Sequence, residues 1–191
     1  MKEQTGQLTP ANGKLGILIP GLGAVATTLI AGVMAARKGL AQPIGSLTQM
    51  GKIRLRREVG DNNPKIKDFV PLADLDSLEF GGWDVYEDNV FEAALKAKVL
   101  EPMTLHAVRQ EMEAIVPMTA AFDKHYAKNL TGTHIKEFTT KLDLAEQVRA
   151  DIRNFKAERG CSRLVMVWCG STEIYHEPSE THHTITRRLH P

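Results

Sequence analysis

The chain has 191 residues, 42% of them hydrophobic and 25% charged, with a formal net charge of +1 at pH 7. That length allows one domain of ordinary size with a real core. The near-neutral balance excludes a general electrostatic footprint for nucleic acid or an anionic membrane, so any ligand must be bound locally.

Residues 15–28, Leu-Gly-Ile-Leu-Ile-Pro-Gly-Leu-Gly-Ala-Val-Ala-Thr-Thr, read as a short apolar strand that runs through a glycine turn into a helix. This is the pattern of a nucleotide-binding junction. Gly21 allows the sharp turn, Gly23 lets the backbone approach a pyrophosphate, and Ala26 is small enough for the new helix to pack on the strand. The helix N-terminus offers free N–H groups to the phosphates, and Gly39 is the expected C-terminal cap. One usual component is missing: an acidic residue about 20 positions on, which holds the ribose in dinucleotide folds. No Asp or Glu occurs between Glu3 and Glu58. Residues 15–36 are also free of charge, which is the outline of a membrane or signal segment, but Pro20, Gly21 and Gly23 would break such a helix in its first third.

Further along, residues 43–53 are expected to form a second strand, interrupted by Gly45 and Gly51. Lys52, Arg54, Arg56 and Arg57 follow, either as a solvated strand end or as a contact to the 2′-phosphate of NADP. Residues 58–68 are polar and read as a loop. Residues 78–86 form the next strand and end in Gly81-Gly82-Trp83-Asp84, and helical spacing runs over residues 89–100. Asp84 therefore stands at a strand-to-helix junction, where it either caps the helix or serves a ligand. A further helix is expected over residues 104–115, ending before Pro117.

Residues 142–159 carry apolar side chains at 142, 144, 145, 148, 152 and 155, the spacing of an amphipathic helix closed by Gly160. Residues 163–168 then form a near-continuous apolar strand, as expected of a parallel strand buried on both faces. It empties into Cys169-Gly170-Ser171-Thr172-Glu173, where small residues leave room for a cofactor and hydroxyls can bond to it. Cys161 and Cys169 flank this strand, too far apart to bridge, which fits a reducing cytosol. Together with His182 and His183 they lack metal-ligand spacing, and no metal is expected. Strands alternating with helices indicate an α/β fold with a Rossmann-like parallel sheet and helices on both faces. About four strands are countable, so the sheet reads as incomplete at its C-terminal end.

With these segments in place, the chain resembles the myo-inositol-1-phosphate synthase family, also called inositol-3-phosphate synthase. Residues 21–28, Gly-Leu-Gly-Ala-Val-Ala-Thr-Thr, look like the bacterial form of the family's glycine-rich NAD loop. Gly81-Gly82-Trp83-Asp84-Val85 is similar to its Gly-Gly-Trp-Asp-Ile segment. Residues 151–156, Asp-Ile-Arg-Asn-Phe-Lys, lead through Val165-Met166-Val167-Trp168 to Ser171-Thr172-Glu173, as in the approach to the family's Trp-Thr-Ala-Asn-Thr-Glu turn. Pro20 and the pair Cys169-Gly170 depart from the usual pattern, which implies weaker packing there and not a different ligand. The resemblance covers residues 14 to about 177, which are expected to form the NAD-binding domain, between an extension at 1–13 and an irregular tail at 178–191.

The resemblance implies NAD as cofactor, with Gly21, Gly23, Ala24, Val25, Ala26, Thr27, Ser171 and Thr172 as its contacts. It also accounts for the missing acid, since Asp84 would then hold the ribose. Family members convert glucose 6-phosphate to an inositol phosphate, oxidising the sugar with NAD, closing the ring by an intramolecular aldol step and reducing the product with the same NADH. The resemblance further implies a cytoplasmic homotetramer whose catalytic lysines and assembling domain lie beyond Pro191, so that no catalytic residue falls within this chain and the chain alone is expected to be inactive. A stand-alone NAD-binding module without turnover is the competing reading. A short-chain NADP oxidoreductase is disfavoured, because none of Tyr86, Tyr126 and Tyr175 has a lysine four residues on.

Overall fold

The computed structural model describes residues 12–54, 63–123 and 130–170. Strand β1, Lys14–Pro20, leads into helix α1, Ala24–Arg37, whose end is closed by Gly39 N–H on the Ala36 carbonyl and Leu40 N–H on the Ala35 carbonyl. That bond pair is the Schellman closure expected of a helix ending in glycine.

Between α1 and the next strand lies an excursion whose described part holds two short α-helical turns, α2 (Leu47–Met50) and α3 (Ile66–Phe69), and a 3-10 turn at Leu75–Ser77. The strand expected over residues 43–53 is not there. Ser46 N–H closes a turn on the Pro43 carbonyl at 2.9 Å and Gly51 N–H closes α2 on the Leu47 carbonyl at 2.7 Å. Only Lys52 reaches a partner strand, in an isolated antiparallel bridge to Lys65. Proline and two glycines favour turns over a ladder. The loop expected over residues 58–68 likewise holds the start of α3. Arg37 ties the end of α1 to the far side of the excursion, donating from Nε to the Leu75 carbonyl at 2.8 Å and lying over the Phe80 ring.

Strand β2, Leu78–Asp84, is followed by helix α4, Val90–Ala97. The helix expected over residues 104–115 is divided into α5, Pro102–Ala107, and α6, Arg109–Glu113. Val108 separates them at φ −120°, ψ 18°, and is fully buried. A buried β-branched residue outside helical geometry sets the bend here, since its packing outweighs the small gain of one more helical bond. Strand β3, Met118–Thr119, helix α7, Lys141–Glu158, and strand β4, Cys161–Met166, complete the described elements.

The four strands form one all-parallel sheet in the order β3-β2-β1-β4. Adjacent residues point to opposite faces, and the core divides accordingly. Ile19, Leu78 and Phe80 pack with Ala26, Ile30 and Met34 of α1 and with Val90, Leu105 and Met112 on one face. Leu18, Trp83 and Val85 pack with Phe155 of α7 on the other. The Phe155 ring lies so close over Gly81 that an added Cβ there would stand 2.5 Å from it. Helices thus cover both faces, as a Rossmann-like α/β fold requires.

The sequence reading errs on β4. Among the described residues it is an edge strand, with Val165 48% and Met166 50% exposed, and is not buried on both faces. Among the described residues no helix is long and apolar enough to cross a membrane.

Candidate dinucleotide site

Parallel strands bring their carboxyl ends to one edge of the sheet, and the candidate site is assembled there. β1 ends at Pro20, which pairs in register with Trp83 of β2. Gly21 follows with φ +88°, and a Cβ on it would stand 2.7 Å from the Gly170 Cα. Both facts demand glycine. Its N–H donates to the Trp83 carbonyl at 2.9 Å.

The next amide, Leu22 N–H, donates to Asp84 Oδ2 at 2.7 Å, and Asp84 Oδ1 accepts Tyr86 N–H at 3.1 Å. The carboxylate at the end of β2 is therefore fastened to the glycine turn. It does not cap the following helix. Asn89 does that: its side chain accepts Glu92 N–H at 3.0 Å while Glu92 reaches back to Asn89 N–H at 3.2 Å, a complete capping box.

Gly23 differs from Gly21. It is the N-cap of α1 at φ −79°, open to any residue, and a Cβ on it would meet nothing within 4 Å. The fold makes no demand for glycine at this position. The first bond of the helix runs from Thr27 N–H to the Gly23 carbonyl at 2.9 Å, so the N–H groups of Ala24, Val25 and Ala26 have no acceptor within the helix. Among the described residues no side chain caps them, and no acidic residue occupies the first turn. That leaves an uncompensated positive end, the geometry that suits a phosphate. Thr27 is buried with its hydroxyl turned back onto the Ala24 carbonyl at 3.2 Å, and Ala26 is buried against the strand.

A cavity of about 400 Å³ opens beside this turn, lined by Leu22, Gly23, Ala24, Asp84, Tyr86, Asp88 and, from α4, Ala93, Lys96 and Ala97. Gly23, Ala24 and Asp84 are thereby brought to one space. Tyr86, Asp88 and Lys96 were not singled out for it by the sequence. Lys96 is largely exposed and is paired with Asp88 at 2.6 Å on the cavity rim. The signal that could have pointed to them is proximity: Tyr86 and Asp88 lie within four residues of Asp84. Lys52 and Arg54 do not line this cavity, and Arg56 and Arg57 lie outside the described residues, as do Ser171 and Thr172.

On the other side of β1, Cys169 N–H donates to the Pro20 carbonyl at 3.0 Å, and this brings Gly170 against Gly21. Cys161 and Cys169 are both free thiols. Burial, reinforced by Glu79, pushes the Cys161 thiol above its ordinary value.

Comparison with known proteins agrees with this arrangement. A family model described as myo-inositol-1-phosphate synthase matches residues 15–190, a span that includes residues 178–190, which the motifs alone did not reach. The chain is 51% identical over 179 residues to inositol-3-phosphate synthase 1 of Bacteroides thetaiotaomicron, which covers 92% of this chain and 41% of that protein. It is 32% identical over 176 residues to inositol-3-phosphate synthase 1 of Oryza sativa subsp. japonica, covering 85% of this chain and 35% of that protein. The crystal structure of inositol-3-phosphate synthase from Caenorhabditis elegans superposes with a TM-score of 0.79 at 28% identity, over 91% of this chain and 37% of that one. The chain thus spans well under half the length of the relatives it matches.

Proposed function

The chain belongs to the myo-inositol-1-phosphate synthase family, and from that premise we propose that it holds NAD at the β1–α1 turn and supplies the cofactor half of an inositol-3-phosphate synthase. Gly23 is the observation that carries the reading. A glycine that neither dihedral angle nor packing requires is accounted for by a ligand backbone that lies against it. The free N–H groups of Ala24, Val25 and Ala26 would receive the pyrophosphate. Asp84, with both oxygens already fixed by backbone amides, would accept the hydroxyls of the adenosine ribose. Gly21 shapes the turn, and Thr27 holds the first helical residues through its bond to Ala24. Ser171 and Thr172 are proposed for the nicotinamide side on the family pattern alone. All of these contacts fall within residues 14–177, the proposed NAD-binding unit.

NAD, when bound, would take a hydride from the substrate and return it. The proposed substrate is glucose 6-phosphate and the proposed product an inositol phosphate, in a cytoplasmic homotetramer, all on the family resemblance. The oxidation needs a general base, and the aldol step needs cations aimed at a developing oxyanion. In the resemblance those groups are lysines outside these residues, so the 191-residue chain should bind without turning over.

Calorimetric titration of the chain with NAD and with NADP tests the binding reading. Tighter binding of NAD is expected, because Asp84 would repel a 2′-phosphate. Tighter binding of NADP would remove Asp84 from the ribose and favour the basic residues near Arg54. Incubation with glucose 6-phosphate and NAD, followed by mass spectrometry for inositol phosphate, tests the second part. Multiple turnovers would place the reacting groups within these residues.

A further inference from the structure

The first two amides of the glycine turn both donate to β2. Gly21 N–H rests on the Trp83 carbonyl and Leu22 N–H on the Asp84 carboxylate. Where the last two residues of β2 stand therefore decides where the turn stands. Trp83 is itself anchored by its side chain, Nε1 donating to Asp151 Oδ2 of α7 at 2.7 Å. The same oxygen receives Lys136 Nζ at 2.8 Å, and Lys136 also donates to Thr119 Oγ1 of β3 at 3.3 Å. The Lys136 side chain is only 7% exposed, and Trp83 is buried.

We propose that Asp151 is a positioning residue for the cofactor turn, acting through the Trp83 indole, with Lys136 as the counter-charge its carboxylate needs. The proposal rests on the NAD reading above and assigns a role to two residues outside the cavity. A partly buried ion pair such as this one, with the Asp151 side chain 21% exposed, adds little net stability, because desolvation offsets much of the Coulomb attraction. What it adds is direction. Asp151 can accept from the indole only when Trp83 sits at one register on the sheet, and Lys136 balances the charge that the carboxylate brings there. The segment that carries Lys136 also grips the backbone of β2: His134 N–H donates to the Val85 carbonyl at 3.0 Å, and its Nδ1 lies 3.1 Å from the Asp84 carbonyl. Side chain and main chain are thus held on either side of the peptide that joins Trp83 to Asp84.

Two double variants of the full chain separate this role from a merely structural one. Lys136→Met with Asp151→Leu removes both charges and the indole's acceptor. Lys136→Met with Asp151→Asn removes both charges and keeps an acceptor. By calorimetry the first should bind NAD roughly tenfold more weakly than the parent chain, and the second within about twofold of it, with cooperative unfolding retained in both. Parent-like affinity in the first variant overturns the proposal, and so does an equal loss in both. Amide hydrogen exchange at Gly21 and Leu22 provides a readout that needs no cofactor. It should quicken in the first variant and not in the second. If the parent chain fails to bind NAD, the functional reading falls, and the exchange rates alone decide this one, unchanged rates overturning it. Should the first variant not fold, Trp83→Phe removes the indole N–H and leaves the ion pair in place. Unchanged exchange at Gly21 and Leu22 there would overturn the proposal equally.

Discussion

β2 and β4 flank β1 in the same parallel sheet, yet they are finished to different degrees. β2 is covered by helices on both faces and ends in a carbonyl and a carboxylate that take the first two amides of the glycine turn. Among the described residues β4 lies at the sheet edge, with Val165 and Met166 about half exposed, and it is followed by Trp168, which is 65% exposed with its indole donating to the Gly170 carbonyl at 2.9 Å. The β2 side of the site is thus fixed by protein contacts within the described residues. The β4 side, among the described residues, presents the apolar surface of Val165, Met166 and Trp168. An apolar run in sequence reports that a strand can be buried; it does not report what covers it.

The sharpest way to break this contrast is to fill the space at Gly23. Gly23→Val should weaken NAD binding by more than about 100-fold, because the isopropyl group takes the volume proposed for the pyrophosphate. Circular dichroism and thermal midpoint should stay close to those of the parent, since no atom lies within 4 Å of the new Cβ. Normal NAD binding in this variant would make the loop structural only. Gly21→Ala should do the reverse. With φ at +88° and the Gly170 backbone 2.7 Å from the added methyl, it should cost about 2–4 kcal/mol of stability, read by denaturant unfolding. Two glycines, two residues apart, would then separate binding from folding.

Much of the β1–α1 unit is legible in the sequence because its signals are local. A short apolar run, Gly21 at a positive φ, a small Ala26 and Gly39 at the helix end each act within a few residues of themselves. Asp84 is harder, because spacing rules look for the acid about 20 residues after the glycines, and here a 40-residue excursion at 38–77 intervenes between α1 and β2. The sheet restores in space what the sequence displaces. Val108 breaks a helix through burial, and burial is a tertiary fact. The Lys136–Asp151–Trp83 cluster joins three distant segments, and although Trp83 and Asp151 lie in recognisable motifs, nothing in the sequence pairs them with each other or with Lys136.

A smaller effect should test the β4 side. The exposed strand edge is expected to make the isolated chain self-associate, through pairing of free N–H and C=O groups and burial of Val165 and Met166. Val165→Lys with Met166→Lys should weaken that association roughly tenfold by sedimentation velocity, since charge on an edge strand opposes pairing. NAD affinity should be unchanged, because neither residue touches the turn on the β2 side. A parent chain that stays monodisperse as concentration rises would show that the edge is already protected.

The smallest expected effect concerns Cys161, which opens β4 and is buried against the face that holds Phe155. Burial and then Glu79 raise its thiol above the ordinary value. In the unfolded chain the thiol ionises at its usual pH of about 8.5, while in the folded chain it keeps its proton to higher pH. Above that pH the unfolded state binds fewer protons than the folded one, so stability must fall as pH rises and is fully retained below it. Removing the titrating group removes that part of the slope. Cys161→Val, which fills a similar volume with apolar atoms, should therefore lose less thermal stability between pH 8 and pH 10 than the parent, read as a shallower fall of melting temperature with pH. Lysine and tyrosine titrations affect both proteins alike and cancel in the comparison. Parallel melting curves across that range would mean that the Cys161 thiol ionises as readily in the folded chain as in the unfolded one, and that the start of β4 is as open to water as its end.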